Sequence, residues 1–134
     1  MGGKLANLAI KYLEKNPEKL CTISPKALKA IGAKPKIGNK LNYIFGKSTG
    51  PAHSIKRSIE LYKELQKIGI KDNPDFRRYL TEKIIEAFYS NSGFMENAGS
   101  YCKEVLLPGP NGFLKLQVIF QGMKVVTFYL KGGK

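Results

Sequence analysis

Apolar positions recur at helical spacing through the first two thirds of the chain and alternate with a period of two after about residue 100. Residues 5–15 place apolar side chains at 5, 8, 9, 10, 12 and 13, a short amphipathic helix that Asn16-Pro17 ends. Ser24-Pro25 opens a second, with Ser24 as N-cap, Pro25 at the first helical position and Gly32 as the stop. The basic, breaker-rich KPKIGNK that follows reads as a flexible join, and the aromatic, β-branched LNYIF at 41–45 as a strand or extended lead-in. The next helix starts near Pro51 or Ala52 and closes at Gly69, with Ile55, Ile59, Tyr62 and Leu65 expected on its buried arc. Asn73-Pro74-Asp75 opens another, whose buried stripe is Phe76, Tyr79, Leu80, Ile84, Ala87 and Phe88. Arg77, Arg78 and Lys83 are expected on its solvated face.

A polar loop, SNSGFMENAGS, then leads to strands at 101–107, 113–120 and 123–130, separated by PGPNG and by Gln121-Gly122. A three-residue turn that pairs residues 119 and 123 puts even-numbered positions on one face: Leu114, Leu116, Val118, Phe120, Val126, Phe128 and Leu130. That register leaves Lys115 opposite Thr127 on a second face with Gln117 and Tyr129. A two-residue turn mixes the sets and buries Lys115. Helices followed by an antiparallel meander mean an α+β fold, with N-terminal helices packed on a small twisted antiparallel sheet formed by the C-terminal strands. Residues 1–37 are expected as a short helical segment and 38–134 as the main functional domain, together one compact unit.

The charge changes the picture. Twenty-three Lys and Arg against ten Asp and Glu give a net +13 spread along 134 residues, which draws a domain to polyanions by counterion release. Nucleic acid is the first candidate, an acidic membrane surface the second, and the bland alternative is a lysine-biased protein. No apolar run approaches bilayer length, and the N-terminus lacks the apolar core of a signal peptide, so the chain is expected to be soluble. Cys21 and Cys102 stand far apart, and free, partly buried thiols are favoured over one disulfide. With one histidine and two isolated cysteines, a structural zinc site is excluded, and the scattered acids argue against a two-metal nuclease. No cofactor and no metal is expected.

His53 is the only histidine. At about 100° per residue, Arg57 falls about 40° from it and Lys56 about 60° to the other side, so the imidazole sits on a wet, cationic face. Lys47, Ser48 and Thr49, in a glycine-flanked loop ahead of a helix start, make a phosphate-sized cradle. The GKSTG run lacks the four-residue gap of a P-loop. Metal-free RNA cleavage needs a base for the 2′-OH, cations for the phosphorane and an acid for the leaving 5′-oxygen. His53 beside a helix N-terminus and two cations is the natural base, since these neighbours favour the neutral ring. Arg57 is placed to fork onto a phosphate, and Lys115, Thr127 and Tyr129 are candidate contacts on the polar sheet face.

The segments GKSTGPAHSIKRSIELYKELQKIGI, DNPDFRRYLTEKI and LLPGPNGFLKLQVIFQGMKVVTFYLKGG resemble the C-terminal toxin domains of bacterial contact-dependent growth-inhibition proteins of the CdiA and filamentous-haemagglutinin type. The likeness covers roughly residues 38–133 and is nearest to the tRNA-cleaving group with the barnase/EndoU/colicin/RelE type of fold. It rests on a histidine with an arginine four later, an IGI-DN join, the PGPNG-led hairpin and a terminal GG; the VENN-like junction seen before many such toxins is absent. The resemblance implies a metal-independent ribonuclease toxin with a tRNA substrate, delivered from the cell surface within a larger protein and acting in a target cell's cytoplasm. It also implies a cognate immunity protein, for which an acidic surface suits a +13 toxin. Some relatives need a target-cell activator such as an elongation factor. Carried over by position, the catalytic set is His53, Arg57 and Thr127; the residues read by themselves put Lys47, Ser48, Thr49, Lys56, Lys115 and Tyr129 on the RNA. Against it stand a non-catalytic basic RNA- or DNA-binding module, and a membrane-active domain that the absence of any strongly basic, strongly apolar-faced segment disfavours.

Overall fold

The computed structural model describes residues 3–16, 23–90, 93–97 and 100–132. Five helices precede the sheet among them: α1 (Gly3–Lys15), α2 (Pro25–Ala30), α3 (Lys40–Ile44), α4 (Ala52–Lys67) and α5 (Pro74–Phe88). Two begin as their sequences require. Ser24 Oγ accepts from the Ala27 amide at 3.1 Å, and Asn73 Oδ1 from the Phe76 amide at 2.8 Å. Four strands follow as an antiparallel meander in the order β1-β2-β3-β4: β1 (Gly93–Asn97), β2 (Ser100–Gly109), β3 (Gly112–Gln121) and β4 (Lys124–Gly132). The architecture is α+β, with helices on one face of the sheet. Cys21 lies outside the described residues, and Cys102 is buried.

The core joins both parts. Leu80, Ile84, Ala87 and Phe88 of α5 pack on Tyr101, Val105, Leu116, Val118 and Phe120 of the sheet, and the Phe88 ring meets Phe120 edge-on at 5.4 Å. Leu13 of α1 and Leu28 of α2 belong to the same cluster. At the other end of the hairpin, PGPNG seats on the C-terminus of α4. The Asn111 amide donates to the Ile68 carbonyl at 2.9 Å, and a Cβ on Gly109 would stand 2.4 Å from that oxygen. Glycine there is a packing requirement.

Several expectations are corrected. LNYIF is helical, not extended: Leu41, Ile44 and Phe45 are spaced i, i+3, i+4 and turn inward together. KPKIGNK is no loose join, because the Lys36 amide donates to Met123 O (2.7 Å) and the Val125 amide to Lys36 O (3.0 Å). It satisfies the start of edge strand β4, whose backbone groups would otherwise be unpaired. The loop expected at 90–100 contains β1.

The last hairpin keeps its expected parity in a different register. Gln121 pairs with Lys124 across a two-residue turn, in which Gly122 supplies φ 62°. A bulge at Val126 then shifts the pairing, so that Ile119 faces Thr127 and Lys115 faces Lys131. Even positions share the core face again beyond the bulge, but Val125, not Val126, enters the core. Lys115 and Thr127 are therefore four residues apart along the ladder, about 13 Å. The second face carries Lys115, Gln117, Thr127 and Tyr129, interrupted by exposed Leu106 and Phe113.

Candidate functional site

Helix α4 sets the site, and it docks on an unexpected face. Ser58, Leu61 and Leu65 are buried, whereas Ile55 and Ile59 are 38% and 44% exposed, so the inward arc is turned by roughly 70° from the one expected. Polar groups drive the turn. Fully buried Ser58 donates its hydroxyl to the Tyr43 carbonyl and accepts from the Ser48 amide at 3.3 Å, joining α3, the 46–50 loop and α4 through one side chain. Reading serine as a solvent-facing residue hides this contact.

The rotation sorts the candidate residues. His53, second in α4, is exposed, as is Lys56. Arg57 is half-buried and reaches edge strand β4: Nη2 donates to Phe128 O at 2.9 Å, and the guanidinium carbon lies 4.4 Å from the centre of the Tyr129 ring. Its Nε is buried without a hydrogen-bond partner. Arg57 and Tyr129 line a groove of about 230 Å³ that also holds Glu60 and Glu64. Thr127 is half-buried on β4 next to the residue that Arg57 holds.

Lys47, Ser48 and Thr49 gather elsewhere, in a larger cleft of about 520 Å³ between α3, the 46–50 loop, the first turn of α4 and the start of β4. Lys36, Lys40 and Lys124 join them, no acid among the described residues lines the cleft, and Ser54 stands on its wall one residue after His53. His53 precedes Ser54 in the first turn of α4 and lines neither the lysine cleft nor the Arg57–Tyr129 groove. Lys115, opposite Lys131, shares neither.

A second network fixes the cleft and was not anticipated. Asp72 takes Arg77 Nε and Nη2 at 2.6 and 3.1 Å, Lys47 Nζ stands 3.5 Å from the same carboxylate, and Arg77 Nη1 donates to Asn42 Oδ1 at 2.9 Å. The Arg77 guanidinium also covers the Phe45 ring. Arg77 is therefore not the solvated cation its helix position suggests. Its hydrogen bonds hold the Asp72 carboxyl below the usual aspartate range, with the charges of Arg77 and Lys47 adding to the effect against a smaller desolvation penalty. The only signal in sequence is an acid placed directly before the Asn73 cap.

Among the described residues no three His, Cys, Asp or Glu side chains cluster as metal ligands, and no helix is long and apolar enough to cross a membrane. The lysines, hydroxyls and backbone of the cleft are chemically suited to phosphate.

No protein-family model matches the sequence, and no curated protein matches it significantly. Among solved structures, the fold is similar to that of a chain in the contact-dependent growth inhibition toxin–immunity protein complex from Klebsiella pneumoniae 342. The TM-score is 0.59 at 23% identity, over 71% of this chain and 98% of that one. At that identity the likeness establishes a shared fold.

Proposed function

We propose that this chain is the toxin domain of a contact-dependent growth-inhibition system and acts as a metal-independent endoribonuclease on tRNA. The observation that carries the reading is His53 itself: an exposed histidine one residue before the wall of a lysine-lined cleft and four residues before an anchored arginine. The fold it shares with a chain of a toxin–immunity complex supports the toxin assignment, and the net charge of +13 supports an RNA substrate and an acidic immunity partner.

In this mechanism His53 takes the proton of a ribose 2′-OH, and the oxygen attacks the adjacent phosphorus. The bond to the 5′-oxygen breaks, that oxygen takes a proton from water, and the products carry a 2′,3′-cyclic phosphate and a 5′-hydroxyl. Lys47, Ser48, Thr49 and Lys56 hold phosphate oxygens. Arg57 is anchored through Nη2 and shielded at Nε, so its other terminal nitrogen is the one that meets developing charge. Thr127, beside Phe128, is the third member of the set, and Tyr129 orients Arg57 from below. Lys115 lies about 13 Å along the sheet from Thr127 and contacts RNA outside the reacting phosphate.

Delivery from the cell surface within a larger protein, action in a target cell's cytoplasm and stimulation by a target-cell protein such as an elongation factor belong to the same proposal. One observation favours a second reading, a non-catalytic basic RNA- or DNA-binding module: Arg57 is already engaged by the fold. Incubating the domain with tRNA and bacterial extract, with and without EDTA, separates them. Cleavage that survives EDTA supports the enzyme. Salt-dependent binding with no product under any condition supports the module.

A further inference from the structure

We propose that the lysine-lined cleft is a backbone subsite for single-stranded RNA, which leads the strand to His53; the assignment rests on the RNA-directed reading above. Three features make it a built site and not a scatter of surface lysines. Lys36 is fixed to the start of β4 by two backbone hydrogen bonds, which brings it beside Lys124 on one wall. Ser58 ties Tyr43 and Ser48 together behind the opposite wall, and the Asp72–Arg77 pair holds Lys47 and Asn42 in place there. The cavity of about 520 Å³ lies within the usual range of ligand sites, about 300–1,000 Å³.

Its chemistry selects phosphate. Lys40, Lys47 and Lys124 line a space that no carboxylate among the described residues lines, and Lys47 reaches Asp72 behind the wall. Ammonium groups recognise charge without reading base edges, so the subsite positions a strand and does not choose its sequence. A strand also explains the spread of the cations over both walls, where one terminal phosphate would need them converged. Ser54 at the edge makes the exit of the cleft the turn that carries His53.

The test uses a fluorescent 2′-O-methyl hexaribonucleotide, which no 2′-OH attack can cleave. Its affinity for the full chain is measured from about 50 to 200 mM salt, where phosphate contacts show most clearly. Lys40→Gln with Lys124→Gln is expected to weaken binding about tenfold at low salt and to flatten the salt dependence by about 1.4, the value for two single-strand phosphate contacts. Lys63→Gln with Lys71→Gln removes the same charge from exposed positions outside the cleft and is expected to leave both nearly unchanged. Equal losses in the two double variants would reduce the cleft to diffuse attraction and overturn the proposal. So would unchanged binding in the Lys40/Lys124 variant, including the case in which it loses an acidic partner protein instead. Adenosine 3′,5′-bisphosphate binding as tightly as the hexamer would make the site one for free nucleotides and overturn it too. His53→Ala is expected to bind the uncleavable hexamer normally, so a failed cleavage assay leaves the subsite standing.

Discussion

Arg57 donates from Nη2 to the carbonyl of Phe128 at 2.9 Å, crossing from the second turn of α4 to the free edge of the sheet. The contact caps an edge-strand acceptor, stacks the guanidinium on Tyr129 and fixes the helix that presents His53.

Arg57→Ala should therefore cost stability as well as activity. Losing a charge-assisted hydrogen bond of this kind destabilises by about 1.5–3 kcal/mol, which urea unfolding would register as a lower midpoint. Arg57→Lys keeps the charge but not the planar stack, and is expected to recover less than half of the lost stability.

Asp72 gives the fold an acid limit. Arg77 depresses its carboxyl below the ordinary aspartate range, so the stabilisation is fully present above the unfolded value of about 3.9 and is lost as the pH falls through the lower folded value. Melting temperatures measured between about pH 5 and pH 2 should fall more steeply in the wild type than in Asp72→Asn. The variant should already be less stable at neutral pH, because Arg77 and Lys47 lose their common partner.

Ser58 is the small residue with the largest leverage. Replacing it with alanine leaves the Tyr43 carbonyl and the Ser48 amide without their buried partner, at about 1–3 kcal/mol. The 46–50 loop should loosen with it. Hydrogen exchange is expected to quicken at the Ser48 amide in Ser58→Ala and to stay slow in Ser58→Thr if the hydroxyl still reaches.

How far the sequence reveals this molecule depends on whether the deciding contact is local. Caps at Ser24 and Asn73 and the stripe on α5 are written in adjacent residues, and all three are seen as expected. The docking face of α4 is not, because it follows from a serine and an arginine meeting partners 15 and 71 positions away. Residue alternation carried the parity of the β3–β4 hairpin, while the two-residue turn and the one-residue bulge at Val126 together moved its register by four and parted Lys115 from Thr127. At the candidate site, Lys47, Ser48 and Thr49 share a loop and share a cleft. Lys36, Lys40 and Lys124 reach the same cleft only through tertiary pairing, which no local motif records.

The central claim is that the exposed His53 imidazole is the base of a metal-free cleavage, and one comparison tests it most directly. Total tRNA is treated in bacterial extract and EDTA with wild type or with His53→Ala, after unfolding curves have shown that the two are equally stable, and the ends of the products are identified. The account predicts 2′,3′-cyclic phosphate ends from the wild type and a loss of about 10²–10⁴-fold in the variant. Cleavage by His53→Ala at the wild-type rate, or wild-type activity that EDTA abolishes, would contradict it.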